Sequence, residues 1–158
     1  MVPHPPEQPP FSYDLAQELA ALRQNRALRE IPGRSSKTLL AATWNLTNFG
    51  VQVRSDNDLA LMAEIISWFD LVAIQEVADS LDQLRQLLTH LPASYRIILS
   101  DTGGNDERAG FIYHSRKLKH VHCPFVDLLV LLVCIASGLC PVIGACASIS
   151  PFQPHGRA

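Results

Sequence analysis

The chain has 158 residues, 47% of them hydrophobic, enough for one globular domain with its own core and too few for two comfortable ones. A net charge of -2 and a pI near 6.3 exclude a general basic field, so any grip on a polyanion has to be local. The cysteines Cys123, Cys134, Cys140 and Cys146 crowd the last quarter without C-x-x-C spacing and read as reduced thiols. The opening Met-Val-Pro-His-Pro-Pro has neither the basic nor the apolar stretch of a secretory leader, so a cytoplasmic location is the expectation.

Residues 1–12 are expected to be a proline-rich, solvated arm, with five of the eleven prolines in the first ten positions. A leading helix and linker, 13–37, follows. Leu15, Leu19, Leu22 and Ala27 recur at helical spacing from Tyr13 to Arg29, and Pro32-Gly33 stops the pattern.

From Leu39 to Trp44 the apolar run predicts a strand covered on both faces and ending at Asn45. The spacing of Leu59, Met62, Ile65, Ile66 and Phe69 predicts a helix with Asp58 as its N-cap. A second buried-type strand, Leu71 to Ile74, breaks into Gln75 and Glu76. Strand, helix and strand with short joins form a right-handed parallel crossover, which brings both carboxyl ends to one sheet edge. Asn45 and Glu76 should therefore face one crevice, where open sheets place their sites.

Leu81, Leu84, Leu87, Leu88 and Leu91 mark the stripe of a third helix, with Asp79 or Ser80 as its cap and Gln83 as a capping-box partner. Arg96 to Leu99 and Gly110 to Tyr113 read as an antiparallel pair. After Lys119 the composition changes, Asp127 and Arg157 being the only charged residues from His120 onward. The stretch Leu128 to Ser150 is uncharged and largely apolar, and at roughly 20 residues it is long enough to cross a bilayer. Pro141 and several glycines interrupt it.

Phosphodiester hydrolysis needs a divalent cation to neutralise charge and a base to activate water. Magnesium takes hard oxygen donors, of which Glu76 and Asn45 are examples. Trp44-Asn45, Gln75-Glu76-Val77 and Glu107-Arg108 followed by Phe111-Ile112-Tyr113 resemble, in this order, the opening motifs of the endonuclease/exonuclease/phosphatase superfamily. Gln75-Glu76-Val77-Ala78-Asp79-Ser80 is similar to the deoxyribonuclease branch. The resemblance covers 38–119, the amino-terminal half of such a domain, and leaves 120–158 as a divergent apolar tail.

The resemblance implies an α+β fold, here a partial two-sheet sandwich flanked by helices. It also implies a hydrolase, a phosphodiesterase or nuclease, dependent on Mg2+ or Mn2+ and acting on nucleic acid or another phosphoester. By the same resemblance Glu76 is the metal-binding carboxylate, Asn45 helps hold the metal or the scissile phosphate, and Glu107 orients a catalytic histidine. The family's later Asp-x-Asn and Ser-Asp-His motifs are absent from this sequence. The branch's arginine after Gln-Glu-Val is Ala78 here, and Asn105 and Asp106 stand where an aromatic is usual. The expectation is therefore a truncated, inactive member whose tail comes from a shifted reading frame, the alternative being a membrane-tethered or partner-binding module with 128–150 as anchor.

Blander readings stand beside these. Asn45 could be a turn residue satisfying a strand end, and Glu107 and Arg108 an exposed ion pair. His120-Val121-His122-Cys123 has the look of a zinc half-site, but no second ligand pair completes a tetrahedron.

Overall fold

The computed structural model describes residues 12–102, 106–118 and 143–149, the last through its backbone. The chain divides into two units, Met1–Ile31 and Pro32–Ala158.

In the first unit, helix α1 spans Leu15–Leu28. Asp14 caps it by accepting from Gln17 N at 3.0 Å, and Glu18 and Arg26 complement the helix dipole at either end. Its C-terminus closes ahead of Pro32. Glu30 takes a left-handed φ of 53°, its N–H donating to Ala27 O and that of Ile31 to Arg26 O, the paired bonds of a Schellman ending. The expected apolar stripe is only partly buried: Leu22 is covered, Leu15 and Leu19 are half-buried, and Ala27 and Leu28 are exposed.

The second unit is a mixed five-stranded sheet with helices, an α+β arrangement. Its strands are β1 (Leu39–Phe49), β2 (Leu71–Ala78), β3 (Tyr95–Leu99), β4 (Glu107–His114) and β5 (Ile143–Ile149), in the spatial order β3-β4-β2-β1-β5. Helix α2 (Asp56–Ser67) connects β1 to β2, and α3 (Asp82–Thr89) lies between β2 and β3. β1 pairs in parallel with β2, as the crossover reading expects, and β4 pairs antiparallel with both β2 and β3. The described strands make one sheet; the second sheet of a sandwich is not among the described residues.

Of the segment expected to diverge, 143–149 lies alongside β1 as a parallel edge strand. The rest of 128–150 and the His120–Cys123 stretch fall outside the described residues. Among the described residues, no helix is long and apolar enough to cross a membrane.

Alternation along β1 sets the two faces of the sheet. Leu40, Ala42, Trp44 and Leu46 are buried beside Val72, Ile74 and Ile112, and the α2 and α3 stripes Leu59, Met62, Ile66, Leu84 and Leu87 are buried with them. On the opposite face Thr43, Asn45 and Gln75 are exposed and Ala73 and Phe111 half-buried. At its amino end Leu39, Tyr113 and Leu118 cluster with Leu71 and Ile98. The expectation of a strand covered on both faces is therefore corrected: β1 is longer and one-sided, because the hydroxyls and amides on its second face remain in solvent.

Both cap assignments also shift. Ser55 is the N-cap of α2, donating from its backbone to Asp58 Oδ2 at 2.9 Å and accepting from Asp58 N at 3.2 Å, so Asp58 is the third residue of a capping box. α3 starts after Leu81, whose apolar side chain offers no cap, and Asp79 instead binds Arg108 at 2.6 Å. Gln83 also faces elsewhere. Its amide satisfies both neighbours with the nitrogen 3.0 Å from Gln52 O and the oxygen 2.7 Å from Arg54 N.

Candidate functional site

Regular pairing between β1 and β2 runs from Ala41↔Leu71 to Asn45↔Gln75 and resumes only at Phe49↔Val77. Pairing between β2 and β4 breaks over the same level, between Ile74 and Val77. Three non-glycine residues in these breaks take left-handed backbones: Thr47 (φ 49°), Asn48 (φ 51°) and Glu76 (φ 59°). Asparagine tolerates this conformation, whereas for Thr47 and Glu76 it is uncommon and persists only where surrounding contacts hold it. Thus the strands do not end at Asn45 and Ile74, as expected from composition. They continue through paired bulges that re-aim the side chains between them.

Asn45 and Glu76 meet at this point. Asn45 Nδ2 donates to Glu76 Oε1 at 2.5 Å, and the backbone N–H of Asn48 donates to Glu76 Oε2 at 3.2 Å. Asn45 Oδ1 accepts from Thr47 N at 2.8 Å, which fixes the amide orientation: nitrogen toward the carboxylate, oxygen toward the strand. Each Glu76 oxygen thus keeps acceptor capacity for a cation, and Asn45 Oδ1 retains one lone pair. In this arrangement Asn45 acts first as a holder of Glu76.

Gly50 closes the bulge. It has φ 100°, and a Cβ there would lie 2.8 Å from Ser80 O, so only glycine lets the two strand ends approach this closely. The same hypothetical Cβ would stand 3.3 Å from Ala78 Cβ, so Ala78 sits against the turn.

Glu107 lies at the start of β4, paired with Ala78, on the same edge of the sheet as Glu76. The two described histidines are engaged elsewhere. His90 Nε2 lies 2.8 Å from Asp56 Oδ1 at the α2–α3 junction, and His114, at the far end of β4, meets the Tyr95 ring edge-on at 5.3 Å. Arg108 binds Asp79 at 2.6 Å and Ser100 O at 3.1 Å. Among the described residues, no group of three or more His, Cys, Asp or Glu side chains gathers as a metal cage. A magnesium ion here would have one carboxylate, an amide oxygen, water and substrate phosphate as ligands, a set this hard, strongly hydrated ion accepts.

Two site residues escape a reading of the sequence. Asn48 contributes through its backbone, and the signal available was the Asn-Phe-Gly run of turn formers at 48–50. Arg54 Nη2 donates to Leu46 O at 2.6 Å and Thr47 O at 3.0 Å, and its guanidinium lies 5.0 Å above the Phe49 ring. Burial pulls its pKa down, the Asp58 charge working against the shift. Nothing in local composition marks it.

Comparison with protein-family models, curated proteins and solved structures returned no match.

Proposed function

We propose that this chain carries the first part of a Mg2+- or Mn2+-dependent phosphodiesterase site of the endonuclease/exonuclease/phosphatase type. Glu76 is its metal-binding carboxylate, Asn45 the group that holds that carboxylate, and Glu107 a second acidic residue on the same edge. A phosphoester, in nucleic acid or a smaller molecule, is the substrate class.

The observation that carries this reading is the contact between Asn45 Nδ2 and Glu76 Oε1 at the carboxyl edge of a parallel strand pair. Two residues 31 positions apart converge there through strained backbone, a cost that packing alone does not require. Hydrolysis also needs a general base near the metal. His90 and His114 are occupied away from this edge, and the sequence has no Asp-x-Asn or Ser-Asp-His. Among the described residues the site is thus a cation-binding half, with no histidine placed beside it as an acid–base group.

Mn2+ titration followed by electron paramagnetic resonance tests this. The wild-type chain is expected to bind the ion, and Glu76→Gln to weaken binding by about tenfold or more. Equal binding by both proteins removes Glu76 from the site. With Mg2+ or Mn2+ the chain should leave supercoiled plasmid intact, and robust nicking that Glu76→Gln abolishes would overturn the half-site reading in favour of a complete enzyme.

A further inference from the structure

Between Asn45 and Phe49 the backbone of β1 leaves its regular register with β2, and two consecutive residues there adopt left-handed φ. Asn48 tolerates this region, but Thr47 is β-branched and rarely enters it, so contacts outside the segment have to hold Thr47. The described contacts converge on one side chain. Arg54 Nη2 takes both Leu46 O and Thr47 O, and Nη1 lies 3.4 Å from Gln52 O. Its guanidinium carbon lies 5.0 Å from the ring centre of Phe49, the residue that resumes the register. The main chain of Arg54 is itself anchored, since Gln83 of α3 binds its N–H at 2.7 Å.

We propose that Arg54 is a positioning residue for Glu76. It clamps the carbonyls of Leu46 and Thr47, thereby holding Thr47 and Asn48 in the conformation from which the Asn48 N–H reaches the carboxylate. The same clamp keeps Thr47 N on Asn45 Oδ1, so both donors to Glu76 are set by one guanidinium. Arginine suits this role because it is always charged, offers a planar fork of donors and stacks on an aromatic face, whereas lysine supplies only the charge and rotatable donors. The inference rests on the reading of Glu76 as a cation ligand for its consequence, but the clamp is a separate physical claim.

Two readouts test the claim on the intact chain: amide hydrogen exchange at Asn48, with Ile112 in β4 as an internal reference, and Mn2+ affinity. Arg54→Ala should accelerate Asn48 exchange while leaving Ile112 unchanged, and should weaken Mn2+ binding by about tenfold, the size usual for losing an outer support of a metal ligand. Arg54→Lys should fall between wild type and Arg54→Ala on both, and it decides the matter if the alanine variant fails to fold. Exchange at Asn48 unchanged in both variants, or a rise shared equally by Ile112, overturns the clamp. If the wild-type chain binds no Mn2+, the phosphodiesterase reading falls, and Asn48 exchange alone then decides the role of Arg54.

Discussion

Asp70 is the buried polar residue of the described core, fully shielded from solvent just before β2. Its Oδ2 accepts from Leu40 N at 3.0 Å and from Lys117 Nζ at 2.6 Å, while its backbone exchanges bonds with Leu40 and His114. One carboxylate therefore ties the starts of β1 and β2 to the turn after β4. Lys117 completes the tie by also donating to Thr38 O at 2.8 Å. Removing one partner of a buried pair leaves the other charge uncompensated, so Asp70→Ala should lower unfolding stability by about 3–5 kcal/mol. Urea denaturation would show this, and a loss below about 1 kcal/mol would mean that Lys117 escapes to water. Tyr95 stands close to this tie: its hydroxyl donates to Phe69 O at 2.8 Å and accepts from Arg34 Nη1 at 2.8 Å, and burial pushes its pKa up to about 12. These residues brace the edge of the sheet opposite the candidate site.

Among the elements, the amphipathic stripes of α2 and α3 were legible because apolar spacing at a helical period is a local property of the chain. Their starts were less so. The apolar spacing puts Asp58 at the N-cap of α2, and only the reciprocal bonds show that Ser55 holds that position. α3 begins later than Asp79 or Ser80 would set it, with apolar Leu81 at the cap position, while Asp79 binds Arg108. The β3–β4 pair was legible too, but not the closeness of its packing. A Cβ at Gly110 would lie 2.5 Å from Ile98 O and 2.7 Å from Leu99 Cδ2, so Gly110→Ala must push the edge strand outward. The expected cost is about 1–3 kcal/mol, as for other overpacked positions. Faster amide exchange in β3 than in β1 would locate the damage, and unchanged exchange in β3 would show that the strand absorbs the methyl group.

Over the whole molecule, His114 gives folding a pH dependence. Burial is the main cause that lowers its pKa from 6.5; the charges of Arg34, Arg116 and Lys117 act in the same direction and Asp70 against them. A base with a depressed folded pKa binds its proton more readily when unfolded. This contribution to stability is therefore present above pH 6.5 and is lost as pH falls through the lower folded value. Thermal melts from pH 8 to pH 5 should show a decline that His114→Phe reduces, and identical slopes for the two proteins would contradict it. Asp56, held below its usual range by hydrogen bonds from His90 and Gln86, acts in a separate window below pH 3.8.

The order of elements from α1 to β4, the parallel crossover and the approach of residues 45 and 76 to one edge followed from the sequence by itself, whereas β5 did not. Apolar periodicity, chain handedness and short connections constrain these locally, before any distant contact forms. The tertiary structure decided what the edge looks like: that β1 and β2 run on through bulges, that Asn45 turns its nitrogen to Glu76, and that Arg54 and the Asn48 N–H take part. Those features depend on which backbone groups lose their sheet partners once strands far apart in sequence are packed. No window of neighbouring residues contains that information.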